Sequence, residues 1–306
     1  MNEEGRPTIL LLGPGGQVGW ELRRTLSTLG SLRTAGREGA DHSLDLTRPG
    51  ALAGLIRSRS PDLVVNAAAY TAVDQAESEP ELARRINAEA VGELGRAALE
   101  AGCPVVHYST DYVFSGEGER PWREEDATGP VSVYGHSKQE GERKLADSGA
   151  DHLILRLAWV YGGRGKNFLL TMRRLMGERS GLSVVSDQFG SPTWSRHIAE
   201  ATAQVLAQCR TGQGFAFGER QGIYHLTAGG QASWHEFACA IADRLGTKCE
   251  VSAITTADYP TPARRPAWSV LDNEKLQRTF SVALPHWRIG LDLCMEELEA
   301  CDGAER

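Results

Sequence analysis

Along the first half of the chain, apolar residues alternate between short unbroken runs and longer stretches in which they return every three or four positions. The runs at 8–12, 32–35, 62–66 and 104–109 have the length and continuity of strands. Between them, 17–29, 49–59 and 79–101 carry helical spacing, with Thr47 placed to cap the second and Pro49 near its first turn. Strands separated by helices in this way predict βαβ units and a parallel sheet. The second half is less regular. A buried strand is expected at 153–160 and helices at 167–177, 198–209 and 233–245. The Pro-, Gly- and Ser-rich segments 186–193 and 255–267 are expected to be loops that fold over a pocket. The predicted fold class is α/β: a doubly wound parallel sheet over 1–158, to which later segments return, and a smaller, interleaved C-terminal domain over 159–306 for substrate.

Composition narrows the partners. The chain has 306 residues, 41% of them apolar, enough to bury a substantial core in one large or two interleaved domains. A formal net charge of −7 without a long basic block argues against nucleic acid or an anionic membrane as partner. A small anionic ligand stays compatible, because a pocket's local charge need not follow the global sum. The apolar runs are too short to span a bilayer, and the opening MNEEGRP lacks the pattern of a signal peptide. Cys103, Cys209, Cys239, Cys249, Cys294 and Cys301 are scattered, with no CxxC pair and no His at metal-ligand spacing. They read as thiols of a reducing, cytoplasmic compartment, and no metal is expected.

Candidate chemistry begins at Gly13-Pro-Gly-Gly16-Gln-Val-Gly19, directly after a strand and opening a helix. One glycine permits a tight turn, another lets backbone approach a pyrophosphate, and a third lets helix and strand pack closely, as in a Rossmann-like dinucleotide fold. At the end of the second strand, Gly36-Arg37 stands where an acidic residue would hold a ribose 2′-hydroxyl. Arg37 suits a 2′-phosphate, and so NADPH, with NADH left open; Asp45 and Leu46 are placed to flank the adenine. In Tyr134-Gly-His-Ser-Lys138, Tyr and Lys lie four apart, on one face if the segment is helical. A neighbouring ammonium lowers the pKa of a phenol and lets it exchange protons. Thr110 follows the strand 104–109, and open parallel sheets bind ligands beyond the carboxyl ends of their strands. Its hydroxyl and the Tyr134 phenol could then reach one carbonyl oxygen.

Together with Asn66-Ala-Ala-Ala-Tyr-Thr71 and Ser109-Thr-Asp-Tyr-Val-Phe114, these motifs resemble the extended short-chain dehydrogenase/reductase family. Gly16-Gln-Val-Gly-Trp-Glu-Leu22, Arg156-xx-Trp-Val-Tyr161 and Asp187-Gln-Phe-Gly-Ser-Pro-Thr193 extend the likeness to a branch of nucleotide-sugar 4-keto reductases serving bacterial surface polysaccharides. The resemblance implies Thr110, Tyr134 and Lys138 as catalytic residues. Gly13, Gly16, Gln17, Val18, Ala68, Ala69 and Tyr70 would contact the cofactor, with Tyr134 and Lys138. Asp111 and Trp159 would touch a sugar, and Arg264 and Arg265 are candidates for its diphosphate. Some members bind Mg2+ at a dimer contact through carboxylates. Glu21 and Glu297 fit two of those positions, but Arg196 falls on the third and would repel a metal. Arg196 could instead pair with a carboxylate across a homodimer contact. The same scaffold also carries epimerases and dehydratases, and the branch includes a regulatory subunit of methionine adenosyltransferase. Asp111-Tyr112 after Thr110 lacks the Asp-Glu pair common in dehydratases.

Overall fold

The computed structural model describes residues 5–212 and 214–304; the first four residues of the opening MNEEGRP lie outside it. Four strands form within a residue of the first-half apolar runs, β1 (Thr8–Leu12), β2 (Ser31–Gly36), β4 (Leu63–Asn66) and β5 (Val105–Thr110), and β6 (His152–Leu157) begins where the strand 153–160 was expected. A two-residue strand, β3 (His42–Ser43), adds an edge that no apolar run announces. The seventh strand of the sheet, Gly222–His225, comes from the second half and pairs parallel with β6. From edge to edge the order is Gly222–His225, β6, β5, β4, β1, β2, β3, with every pairing parallel. The chain thus winds one way from β1 to β3 and the other way from β4 onward. This is a Rossmann-like doubly wound sheet, and its strand order reverses between β1 and β4.

Several boundaries differ from the sequence expectation. Helix α1 (Gln17–Leu26) stops three residues early, because the chain must turn at Gly30 for Ser31 to bond Pro7. Helix α2 (Ala51–Arg59) is preceded by Gly50 in the left-handed region; Thr47 serves the Asp45 turn instead of capping it. The stretch 79–101 is helical from Pro80 onward but changes pitch: Pro80–Arg84, a π segment at Arg85–Glu89, then Ala90–Ala101. β6 ends at Leu157 rather than continuing to 160, because Trp159 takes a positive φ of 45° that no extended strand tolerates.

Both faces of the sheet are covered. On one, Ile9, Leu11, Val65, Val106 and Leu155 pack with Leu22 and Leu26 of α1 and with Ile198 and Val205 of the helix Ser195–Gln208. On the other, Leu10, Leu12, Val64 and Ile154 meet Leu52 and Ile56 of α2 and Leu94 and Ala98 of Ala90–Ala101. A separate core lies wholly within the second half, around Leu169, Met172, Trp194, Phe237, Ile241 and Met295. Its helices are Phe168–Glu178, Trp234–Leu245 and Trp287–Ala304, with Asn167 and a Ser233–Glu236 capping box at the starts of the first two. All six cysteines are free. Among the described residues no helix is long and apolar enough to cross a membrane.

Candidate active site

A cavity of about 760 Å³ opens beyond the carboxyl ends of β1, β4, β5 and β6, at the point where strand order reverses. The glycine turn forms one wall. Gly13 has a φ of 76°, and a Cβ there would come within 2.8 Å of the Ala68 backbone. A Cβ on Gly19 would collide with the Gly13 carbonyl, so both positions exclude side chains. Gly15, Gly16, Gln17 and Val18 face the cavity, and nothing would meet a Cβ on Gly15 within 4 Å. No side chain caps the first turn of α1. Its leading N–H groups and positive dipole end are therefore available to an anion.

The opposite wall carries the polar residues. Thr110 ends β5, and its Oγ1 accepts from the Tyr112 N–H (3.2 Å) and donates to Asp111 Oδ1 (2.9 Å). The phenol of Tyr134 lies beside Thr110, close enough for the hydroxyl to favour its ionised form. Tyr134 stands in the first turn of the helix Val133–Ala146, which begins there because Ser132 Oγ accepts from the Gly135 N–H at 3.2 Å. Burial raises the Tyr134 phenol to about 12, partly opposed by Thr110, so at neutral pH it holds its proton. Asp111 is 2% exposed, its Oδ2 has no hydrogen-bond partner, and burial raises its carboxyl to about 7.

Lys138 lies one helical turn beyond Tyr134, as the spacing required, but its Nζ is bonded elsewhere than to the phenol. Nζ donates to the Tyr108 carbonyl at 2.6 Å and lies 3.3 Å from His107 Nε2. Burial lowers its pKa to about 8, against a smaller upward push from Glu142. Glu142 is itself gripped by Arg156 through two bonds of 2.9 and 2.7 Å.

Trp159 reaches the cavity from just beyond β6 and stacks on Trp234, ring centroids 3.4 Å apart and planes within 1°. Its positive φ is uncommon for an aromatic residue. The packing that accepts it includes Gly190, where a Cβ would strike the indole.

Of the residues singled out in the sequence, Gly16, Gln17, Val18, Ala69, Thr110, Asp111, Tyr134, Lys138 and Trp159 converge on this cavity. Others do not line it. Gly13 and Ala68 lie behind the turn, pressed against each other. Tyr70 donates its phenol to Glu79 at 2.7 Å. Gly36 abuts Pro14, and Arg37 is exposed at the end of β2. Arg37 attracts Asp45, whose carboxylate is held by Thr47, and Leu46 follows half-buried. Arg265 lines the cavity, but its guanidinium grips Asp74 through bonds of 3.1 and 2.7 Å; Arg264 is exposed. The segment 186–193 does not reach the cavity wall. It braces the loop 255–267 instead, with Asp187 accepting from Thr256 and Phe189 bonded to Ala267. Residues that sequence reasoning missed include Trp234, Phe168, Lys166 and Asn167. Asn167 had a local signal, since an Asn before an apolar-periodic stretch is a cap. It also reaches Gln17 Oε1 at 2.9 Å.

The carboxylate site considered for Mg2+ is closed by a cation of the chain itself. Arg196 Nε lies 3.1 Å from Glu21 and Nη2 2.5 Å from Glu297, both carboxylates of its own chain. A guanidinium satisfying both carboxylates does not fit a divalent ion there. A second cavity, of about 650 Å³ near Ile56, Asp62, Glu100 and Phe215, lies at the amino ends of β4 and β5 and holds none of the candidate residues.

Residues 7–300 match the family model described as RmlD substrate binding domain. The dTDP-4-dehydrorhamnose reductase of Burkholderia thailandensis is 48% identical over 300 residues, 95% of this chain and 98% of that protein. A crystal structure of a dTDP-4-dehydrorhamnose reductase from Clostridium acetobutylicum superposes with a TM-score of 0.88 at 34% identity, covering 95% of this chain and 99% of the other. The reductase from Bacillus anthracis, solved in complex with NADP, gives a TM-score of 0.87 at 31% identity over 95% and 99% of the two chains.

Proposed function

Because the chain belongs to the RmlD substrate binding domain family, we propose that it reduces the 4-keto group of dTDP-4-dehydro-L-rhamnose to dTDP-L-rhamnose, with NADPH as reductant. The observation that carries this reading is the meeting of Thr110, Tyr134 and Lys138 with an open glycine turn in one cavity. The glycine wall suits a dinucleotide, since Gly15 and Gly16 present bare backbone and the uncapped start of α1 offers N–H groups to a diphosphate. When bound, NADPH supplies the hydride.

The chain's own residues handle the proton and the developing charge. Tyr134 carries a proton at neutral pH and sits beside Thr110, so it is the acid that delivers a proton to the 4-oxygen as that oxygen gains charge. Thr110 donates a hydrogen bond to the same oxygen once it turns from Asp111. Lys138 is assigned to hold a nucleotide ribose and to stabilise the phenolate left on Tyr134. Asp111 and the Trp159–Trp234 pair are assigned to the sugar, one offering a polar edge and the other a flat apolar wall.

Preference for NADPH over NADH is assigned to Arg37, an exposed cation at the tip of β2 suited to a 2′-phosphate. Residues 1–158 with the returning strand Gly222–His225 are assigned to the nucleotide and most of the remainder to the sugar. A homodimer is assigned to the stripe Ile289, Leu293 and Glu297, since the first two are large, apolar, exposed and one helical turn apart. The cytoplasm is assigned from the six free thiols.

The test is incubation of the purified protein with NADPH and dTDP-4-dehydro-L-rhamnose, followed at the nicotinamide absorbance. Stoichiometric oxidation of NADPH is expected. An epimerase would interconvert sugars without net oxidation, and an inert chain would refute catalysis.

A further inference from the structure

We propose that, before nucleotide binds, the Asn66–His107 pair weakens the hold of Lys138 on its proton by favouring the uncharged amine, and that nucleotide binding releases Lys138 and restores its ordinary affinity for a proton. The inference rests on the cavity being a dinucleotide site and concerns how that site is set in the free chain.

The Ala68 N–H can only donate, and it points at Asn66 Oδ1 at 3.2 Å. The amide of Asn66 is thereby oriented, and its Nδ2 donates to His107 Nδ1 at 3.0 Å. A neutral imidazole carries a single N–H, so with Nδ1 accepting, the proton sits on Nε2. Nε2 faces Lys138 Nζ at 3.3 Å. An ammonium has no lone pair, so with Lys138 charged two donors would oppose each other there. An amine accepts from Nε2–H and still donates to the Tyr108 carbonyl at 2.6 Å. That arrangement satisfies Asn66, His107 and Lys138 at once.

The surroundings favour the uncharged forms. His107 is fully buried, and burial lowers its pKa well below the usual value, so it does not become a second cation. Lys138, whenever it is charged, and to a smaller extent His152 of β6 also oppose protonation of His107. On Lys138's own helix, Glu142 is the carboxylate nearest in effect, but Arg156 of β6 occupies both its oxygens. Ser137 bonds the neutral Asn87 of the Arg85–Glu89 segment, and Tyr134 keeps its proton. No unpaired anion among these groups calls for a charge on Nζ. A bound nucleotide offers its ribose hydroxyls instead, and Nζ, drawn away from the facing Nε2–H of His107, is again free to carry its third proton.

The full chain is titrated calorimetrically with NADP+ at several pH values, in buffers of contrasting ionisation enthalpy. With Lys138 near 8 when parked and near its ordinary value when released, uptake should be about nine-tenths of a proton at about pH 9 and about one-tenth at about pH 7. The dissociation constant should weaken about tenfold per pH unit above about 8. Asn66→Asp places a carboxylate against Nδ1, moves the proton there and leaves Nε2 as an acceptor for an ammonium; uptake and pH slope should both vanish. Nitrogen-15 NMR of the wild-type histidines, with His107→Gln for assignment, should show His107 protonated on Nε2, and needs no variant that folds poorly. An Nδ1–H tautomer, or binding without proton uptake at high pH, overturns this inference alone. Absence of any nucleotide binding overturns it together with the dinucleotide reading.

Discussion

Replacing Thr110 with Val separates two roles that one hydroxyl performs. Val fills nearly the same volume at a position 6% exposed, so packing is largely retained and the loss is polar. In the resting structure Oγ1 caps the short turn Asp111–Val113 through the Tyr112 N–H and donates to Asp111, beside the Tyr134 phenol. Losing a cap costs about 1 kcal/mol, which lowers the melting temperature of a chain this size by about 2 °C. Losing an oriented donor to the developing oxyanion costs about 3 kcal/mol in the transition state, or about 150-fold in kcat. Steady-state reduction at saturating NADPH, with thermal unfolding of the same samples, reads both numbers. Thr110→Ser, which keeps the hydroxyl, should stay within about tenfold of the native rate. A folded Thr110→Val variant that turns over within threefold of the native protein would refute the assignment of Thr110 to the oxyanion. So would Ser failing as badly as Val.

Tyr134→Phe should bind NADPH with unchanged affinity by fluorescence titration while kcat falls by about 10²–10⁴, the usual share of a general acid. Asp111 is raised to about 7, so the native state holds a proton there that the unfolded chain releases near 4, and this group lowers stability as pH rises between those values. Asp111→Asn should therefore gain on the native protein in denaturant unfolding at about pH 8, with the difference shrinking towards about pH 5; a constant difference would contradict it. Trp234→Ala removes the partner stacked on Trp159, and the lost aromatic contact, about 0.5–1.5 kcal/mol, should appear as an increase of up to about tenfold in KM for the nucleotide sugar with kcat little changed.

What the chain alone determined was whatever depends on near neighbours. The glycine spacing from Gly13 to Gly19 reports a turn so tight that a methyl group at either end meets backbone, and that constraint is local. The apolar runs of β1, β4 and β5 are continuous because these strands are covered on both faces, which is visible without knowing what covers them. The four-residue step from Tyr134 to Lys138 needs only a helix, and Ser132 starts one. Edge and late strands were different. β3 is two residues long, and Gly222–His225 has no alternation to mark it; each is a strand because a neighbour offers a ladder. The direction of Lys138 also belonged to the fold, since the tautomer of His107 depends on Asn66, 41 residues before it, and on the turn at Ala68. Trp159 and Trp234, 75 positions apart, meet in space, and Arg265 is taken up by Asp74 from a distant loop. Pattern shows which face of an element is buried, but only packing decides which distant side chain reaches it first and so which charges and rings stay free for a ligand.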